Sequence, residues 1–352
     1  MEKGRKFLVK ANRWIAPVFA LVLAAVLIWG LGLLVRPKYA SGITLEGSMV
    51  QNWYDHAGEG HQILFVGDCE VYESFSPVTL FEEFGATSYI RGSAQQLMWQ
   101  SYYLLAECLK KETPRAVVLS VCSLRYPEPQ SEAYNRMTLD GMRLSREKFE
   151  AVRASMTEGE SELSYYVPLL RYHDRLFELT GEDARYLFKG PELTFNGYLM
   201  RTEAVPFTRL PAAPPLREAE FGEKPVAYLD RIVALCREKG IALILVKSPC
   251  LYPAWYDEWD QWLVDYAQKN DVAYLNAIPH MEEMGIDLST DTYDGGIHLN
   301  VFGVEKYTRW FGTWLSERVE LKDERNDLVT ASRYGALATR YERQKTEGGR
   351  GA

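Results

Sequence analysis

Two stretches of this 352-residue chain carry side chains that together suit the transfer of an acyl group. Gly67-Asp68-Cys69-Glu70 follows the apolar run Ile63-Leu64-Phe65-Val66, and Asp294-Gly295-Gly296-Ile297-His298-Leu299-Asn300 comes far downstream. A turn at a strand end presents a thiol as nucleophile, an imidazole takes its proton, and a carboxylate orients the imidazole. A free thiol titrates near about 8.5, and an adjacent imidazolium or helix N-terminus lowers that by units. Cys69 and His298 can therefore form an acyl intermediate by the logic that serine uses. Asp291 and Asp294 are both candidates for the orienting carboxylate, Asp294 being the nearer. Asp68 and Glu70 flank the thiol, and Glu70 is either a solvated turn residue or a carboxylate of the site. Cys250, in Lys247-Ser248-Pro249-Cys250, is a spare thiol or a resolving partner for Cys69. His280 and His173 have no partner in this pattern and take no role.

The elements that must hold these groups alternate along the chain. Apolar runs at 62–66, 87–91, 115–122, 241–247 and 272–276 are expected strands. Ser76-Pro77 starts a helix that Gly85 ends, and Ser93-Ala94-Gln95-Gln96 fits a capping box for a long helix to about residue 111. Further helices are expected at 225–239, at 254–269, and from the cap Asn300 to about residue 317. Strands buried on both faces and joined by helices imply a three-layer α/β/α fold with a five-stranded parallel sheet. Sites in such sheets gather at the carboxyl ends of the strands, where Gly67-Asp68-Cys69, Gly92-Ser93 and Cys122-Ser123 all fall. Residues 126–221 interrupt this pattern as a helical insertion or lid, with helices at 145–156 and 163–179 and a Pro-rich exit at 210–215. The tail from 319 to 352 is charged and reads as a weak helix followed by disorder.

Charge is distributed unevenly. Of 40 Lys/Arg and 48 Asp/Glu, seven and one fall in residues 1–38; the remaining 33 and 47 leave a net of −14. An acidic body argues against nucleic-acid binding. The basic end precedes 22 residues without a charge, WIAPVFALVLAAVLIWGLGLLV at 14–35, enough to span a bilayer core of about 30 Å. Lys3, Arg5, Lys6, Lys10 and Arg13 before it, against Arg36 and Lys38 after it, place residues 1–13 in the cytoplasm and the body outside. A cleaved signal peptide would have a shorter apolar region and a small-residue cleavage site, so a retained anchor with a connector at 36–60 is the favoured reading. The 22 tyrosines and nine tryptophans suit either an aromatic core or carbohydrate and interface surfaces. Cysteines at 69, 108, 122, 236 and 250 show no CxxC or metal-type spacing, so no disulfide framework, metal site or cofactor is expected.

Over residues 61–125 and 222–318 the chain resembles the SGNH/GDSL hydrolase superfamily, in particular its membrane-anchored extracytoplasmic branch with DltD-like and AlgX/AlgJ-like proteins. The family's Gly-Asp-Ser block stands here as Gly67-Asp68-Cys69, its oxyanion glycine as Gly92, and its Asp-x-x-His block as Asp294…His298 with one more residue between. The resemblance implies Cys69 as nucleophile, Asp294 and His298 as its partners, and the backbone N–H groups of Cys69 and Gly92 as oxyanion donors. The family's third block supplies an asparagine; here the strand ends Cys122-Ser123-Leu124, leaving Ser123, or Asn135 from the insertion, as the substitute. It also implies an SGNH domain at 61–318, an envelope glycan or acyl ester as substrate, and a polytopic membrane O-acyltransferase as partner. A scaffold that keeps the fold without turnover, or a redox-sensing thiol, are the alternative functions.

Overall fold

The computed structural model describes residues 2–37, 47–188 and 194–348. Residues 38–46 of the expected connector and the last four residues of the tail lie outside the described residues. The chain divides into two compact units, Met1–Leu45 with Gly159–Pro191, and Glu46–Glu158 with Glu192–Ala352. The stretch read as one insertion thus contributes to both.

In the first unit a helix spans Glu2–Val35, and its part Ile15–Val35 is long and apolar enough to cross a membrane. Its carbonyl end is capped by Arg175, whose guanidinium donates to Val35 O and pairs with Asp183 at 3.0 Å. The expected single helix at 163–179 is instead three short turns, at Glu162–Tyr165, Leu169–Tyr172 and His173–Phe177. Pro168 breaks the pattern, since its ring denies the preceding turn a donor.

The second unit holds five parallel strands, β1 (Ile63–Gly67), β2 (Ser88–Gly92), β3 (Ala116–Ser120), β4 (Ala242–Lys247) and β5 (Ala273–Asn276). Their order is β2-β1-β3-β4-β5, the flavodoxin-like arrangement. Side chains alternate between two cores because a strand repeats every two residues. Ile63, Phe65, Val118, Ile244 and Val246 face one core with Phe75, Tyr307 and Phe311. Leu64, Val66, Val117, Leu119, Leu243 and Leu245 face the other with Leu105, Leu229, Ile232 and Leu263. Helices on both faces thus make the three layers that the apolar runs predicted. Each fully buried aliphatic or phenyl side chain contributes about 1.5–3 kcal/mol, so these layers, rather than the polar turn at Cys69, hold β1 in place.

Two elements differ from expectation. Ser93 does not cap a helix: its hydroxyl bonds Gln96 and Thr138, Gln95 takes a left-handed φ of 50°, and the helix starts at Met98. The tail, expected to be a weak helix, forms a 21-residue helix, Leu328–Gly348, anchored by the buried Tyr334 and Tyr341. The Tyr334 hydroxyl accepts from Ser88 N at 2.9 Å and donates to Ser88 O at 3.2 Å, and Asn196 O accepts from Ile90 N at 2.8 Å. The outer edge of β2, otherwise an open row of donors and acceptors, is closed this way.

Candidate active site

The turn after β1 is built from its neighbours. Gly67 has φ 148°, and a Cβ there would stand 2.6 Å from the Ser120 Cβ, so no other residue fits. Asp68 is buried and caps the short helix Cys69–Tyr72, accepting from Glu70 N at 3.2 Å and from Ser120 Oγ at 2.9 Å. It anchors the turn to β3, and burial and the charge of Glu70 push its carboxyl up. Glu70 is buried, which corrects the alternative that made it a solvated turn residue. Lys247 at the end of β4 donates to Glu70 Oε1 at 2.7 Å, Ser248 N reaches Oε2 at 3.3 Å, and both charged side chains are buried. This pair is a brace beneath the nucleophile turn.

Cys69 itself is half-buried. Burial pushes its thiol well above the ordinary range, and the charges of Asp68 and Glu73 push it further in the same direction. The imidazole of His298 comes within 4.8 Å of that sulfur. Its Nδ1 lies 2.7 Å from Asp294 Oδ2, while its backbone N–H donates to Asp294 Oδ1 at 2.7 Å. Gly295 and Gly296, at φ 76° and 99°, let the chain turn back within five residues, which is how the longer Asp-to-His spacing closes. Asp291 is committed elsewhere, to Lys306 Nζ at 2.7 Å and Asp287 N at 2.8 Å. Asp294 is the orienting carboxylate by geometry, and its hydrogen bonds with His298 outweigh burial and hold it below the usual range. Burial works against the His298 charge, but Asp294 and Glu73 outweigh it and raise the imidazole above its ordinary value.

Glu73 was not anticipated. It sits one helical turn past Cys69, is buried, and places Oε2 3.5 Å from His298 Nε2. Its Oε1 accepts from the Tyr293 hydroxyl at 2.9 Å, and Arg201 Nε stands 3.8 Å away. Burial pushes the Glu73 carboxyl up, with His298 and Tyr293 opposing. The Cys69 sulfur, a Glu73 oxygen and a His298 nitrogen all lie within 4.8 Å of one another, a donor set able to hold a metal ion. The Cys69-x-x-x-Glu73 spacing was the available signal, since residues four apart share a helix face.

The remaining candidates are placed as follows. Gly92 pairs with Gly67 at the end of β2, where a Cβ would stand 3.0 Å from Gly67 O and 3.2–3.3 Å from Val71 and Tyr72, a tight fit. Ser123 lies in the turn Cys122–Arg125 after β3, and its Oγ is buried without a hydrogen-bond partner among the described residues. Asn135 does not serve as an oxyanion donor: its Oδ1 accepts from Gln100 at 3.1 Å and its Nδ2 donates to Ser155 O at 2.6 Å. Its amide ties two helices together. Cys250 is buried, with Ser74 Oγ at 3.9 Å from its sulfur. His280 pairs with Glu283 at the surface, and His173 is exposed in the other unit.

No family model matches this chain, and no curated protein matches it. Among solved structures it is similar to one described as "a putative lipolytic protein of G-D-S-L family from Desulfitobacterium hafniense DCB-2", at 10% identity and a TM-score of 0.36, covering 71% of this chain and 97% of that one.

A cleft of about 500 Å³ lies past the end of β4, lined by Arg125, Tyr252, Trp255, Tyr256 and Trp259 against Pro211 and Pro214. The Pro-rich exit forms one wall of it, held by the Tyr256 hydroxyl donating to Pro214 O at 2.6 Å.

Proposed function

We propose that this chain is an SGNH-like acyl-transfer or ester-hydrolysing protein that works on the outer side of a cell membrane, held there by residues 15–35. The observation that carries the reading is the Asp294 bond to His298 Nδ1, which turns Nε2 into the space it shares with the Cys69 sulfur and Glu73 Oε2. His298 takes the thiol proton as sulfur attacks an ester carbonyl; the alkoxide leaves with that proton, and a thioester forms on Cys69. A hydroxyl or water, deprotonated by the same imidazole, then releases the acyl group. The Cys69 and Gly92 N–H groups are the proposed oxyanion donors, with Ser123 Oγ, buried without a hydrogen-bond partner among the described residues, as a third. The aromatic cleft beside Arg125 suits sugar rings, which stack on Trp and Tyr faces, and supports an envelope glycan as acyl donor or acceptor. A polytopic O-acyltransferase is the proposed partner that would deliver the acyl group across the bilayer. Phe177 and Phe188, 93% and 91% exposed, sit in the unit that contains the apolar helix and support contact with a membrane surface.

The test is the untagged full chain in detergent with activated acyl esters. An acyl mass on the Cys69 peptide is expected, absent in Cys69→Ala and formed about 10²–10⁴-fold more slowly in His298→Ala. No adduct, with turnover unchanged in Cys69→Ala, would remove the catalytic reading. A scaffold without turnover is the second reading. It is favoured by the raised Cys69 thiol and by the commitment of Asn135 elsewhere, and in it Cys69→Ala leaves glycan acylation in cells intact.

A further inference from the structure

We propose that Cys69, Glu73 and His298 form a binding site for a divalent metal of the zinc type, with water completing a four-coordinate shell. Sulfur, imidazole nitrogen and carboxylate oxygen are the donors that zinc takes, and three protein ligands with one open position is a recurrent arrangement. The spacing agrees. Two nitrogen or oxygen ligands about 2.0–2.1 Å from zinc at tetrahedral angles stand about 3.4 Å apart. His298 Nε2 and Glu73 Oε2 are 3.5 Å apart, too long for a good hydrogen bond and right for co-ligands. The sulfur lies within 4.8 Å of both.

Each ligand is also held from behind. Asp294 occupies Nδ1 and so turns Nε2 toward the site, and Tyr293 occupies Glu73 Oε1 and leaves Oε2. Such outer partners fix the ring orientation and raise ligand basicity. Arg201 lies 3.8 Å from Oε1, the oxygen the metal does not use. The thiolate, Glu73 and Asp294 supply three negative charges, while the dication and Arg201 supply three positive ones. Cys69 and His298 retain exposure, giving the ion and its water a way in. Binding forms a metal–sulfur bond and releases the thiol proton to solvent, so affinity rises with pH.

This inference goes beyond acyl transfer: a metal-bound sulfur is one that is not attacking an ester. The untagged full chain in detergent, freed of metal by chelation, is titrated with Co²⁺ in the absence of any acyl donor. A thiolate-to-cobalt charge-transfer band with the d–d bands of four-coordinate cobalt is expected, bleached by Zn²⁺. Cys69→Ser should abolish the charge-transfer band, and Asp294→Asn should weaken Co²⁺ binding about 10–100-fold. In the wild-type chain Zn²⁺ should slow alkylation of Cys69, read by mass spectrometry of its peptide. No band at saturating Co²⁺, a band that survives in Cys69→Ser, or alkylation unchanged by Zn²⁺ overturns the site. Because no acyl donor is present, failure here leaves the acyl-transfer reading standing, and a silent acyl assay leaves this one standing.

Discussion

Replacing Lys247 with methionine is expected to be among the most damaging single changes in the molecule. The Lys247 ammonium makes three short contacts, to Glu70 Oε1 at 2.7 Å, Cys250 O at 2.9 Å and Ser248 O at 3.1 Å. Both members of the pair are buried, so water cannot take the place of the lost donor. Removing one partner of a buried ion pair costs about 3–5 kcal/mol because the other charge is left uncompensated. Two carbonyls also lose a donor, at roughly 0.5–1.5 kcal/mol each. The sum, about 4–8 kcal/mol, is a large fraction of the roughly 5–15 kcal/mol that holds a domain folded. Removing both charges together, as Glu70→Leu with Lys247→Met, should recover most of the loss, since an apolar pair of similar volume often replaces a buried ion pair without penalty. The assay is denaturant unfolding of the full chain in detergent, followed by tryptophan fluorescence, for both singles and the double. A Lys247→Met loss below about 1 kcal/mol, or a double variant no better than the single, would refute the argument that this pair braces the Cys69 turn.

Three further outcomes are expected. Neutral His298 is the base, so acylation of Cys69 should rise as pH climbs through its raised titration point; Glu73→Gln removes a negative charge 3.5 Å away, lowers that point, and should move the rise to lower pH in a kcat/KM profile. An unmoved midpoint would mean that Glu73 is not charged beside His298. Gly67→Ala drives a methyl into Ser120 and should destabilise the chain by roughly 1–3 kcal/mol in the same unfolding assay, with slower acylation because the turn shifts. Tyr334→Phe removes the hydroxyl that serves Ser88 N and O, and should cost about 1–3 kcal/mol.

Much of the fold was legible because its signals are local. The five apolar runs need no tertiary information to be recognised as strands buried on both faces, and Asn300 caps its helix through bonds to Phe302 N and Gly303 N. The Asp294 and His298 pair was legible for the same reason, being closed by a loop of five residues. What escaped notice depends on contacts made across the chain. Ser93 looks like a cap, but its hydroxyl goes to Thr138 in a different helix. Asn135 looks available until Gln100 and Ser155 claim it. Glu73 and Arg201 meet only once the turn after β1 and the 126–221 insertion are folded together. In the tail, Tyr334 and Tyr341 stand seven residues apart on one helix face, a periodicity masked by the charges between them.

The sealing of β2 by Tyr334 and Asn196 bears on how the molecule is made. A chain that emerges N-terminus first has β1, β2, β3 and the Cys69 turn in place long before residue 334 arrives. Until then Ser88 offers its N–H and its carbonyl, at the outer margin of the sheet, to whatever strand comes near. Nascent and truncated chains are thus adhesive in a way the finished protein is not, which exposes them to chaperones and proteases. The last helix acts as a completion mark: a molecule that has closed its edge has been synthesised at least as far as Tyr334.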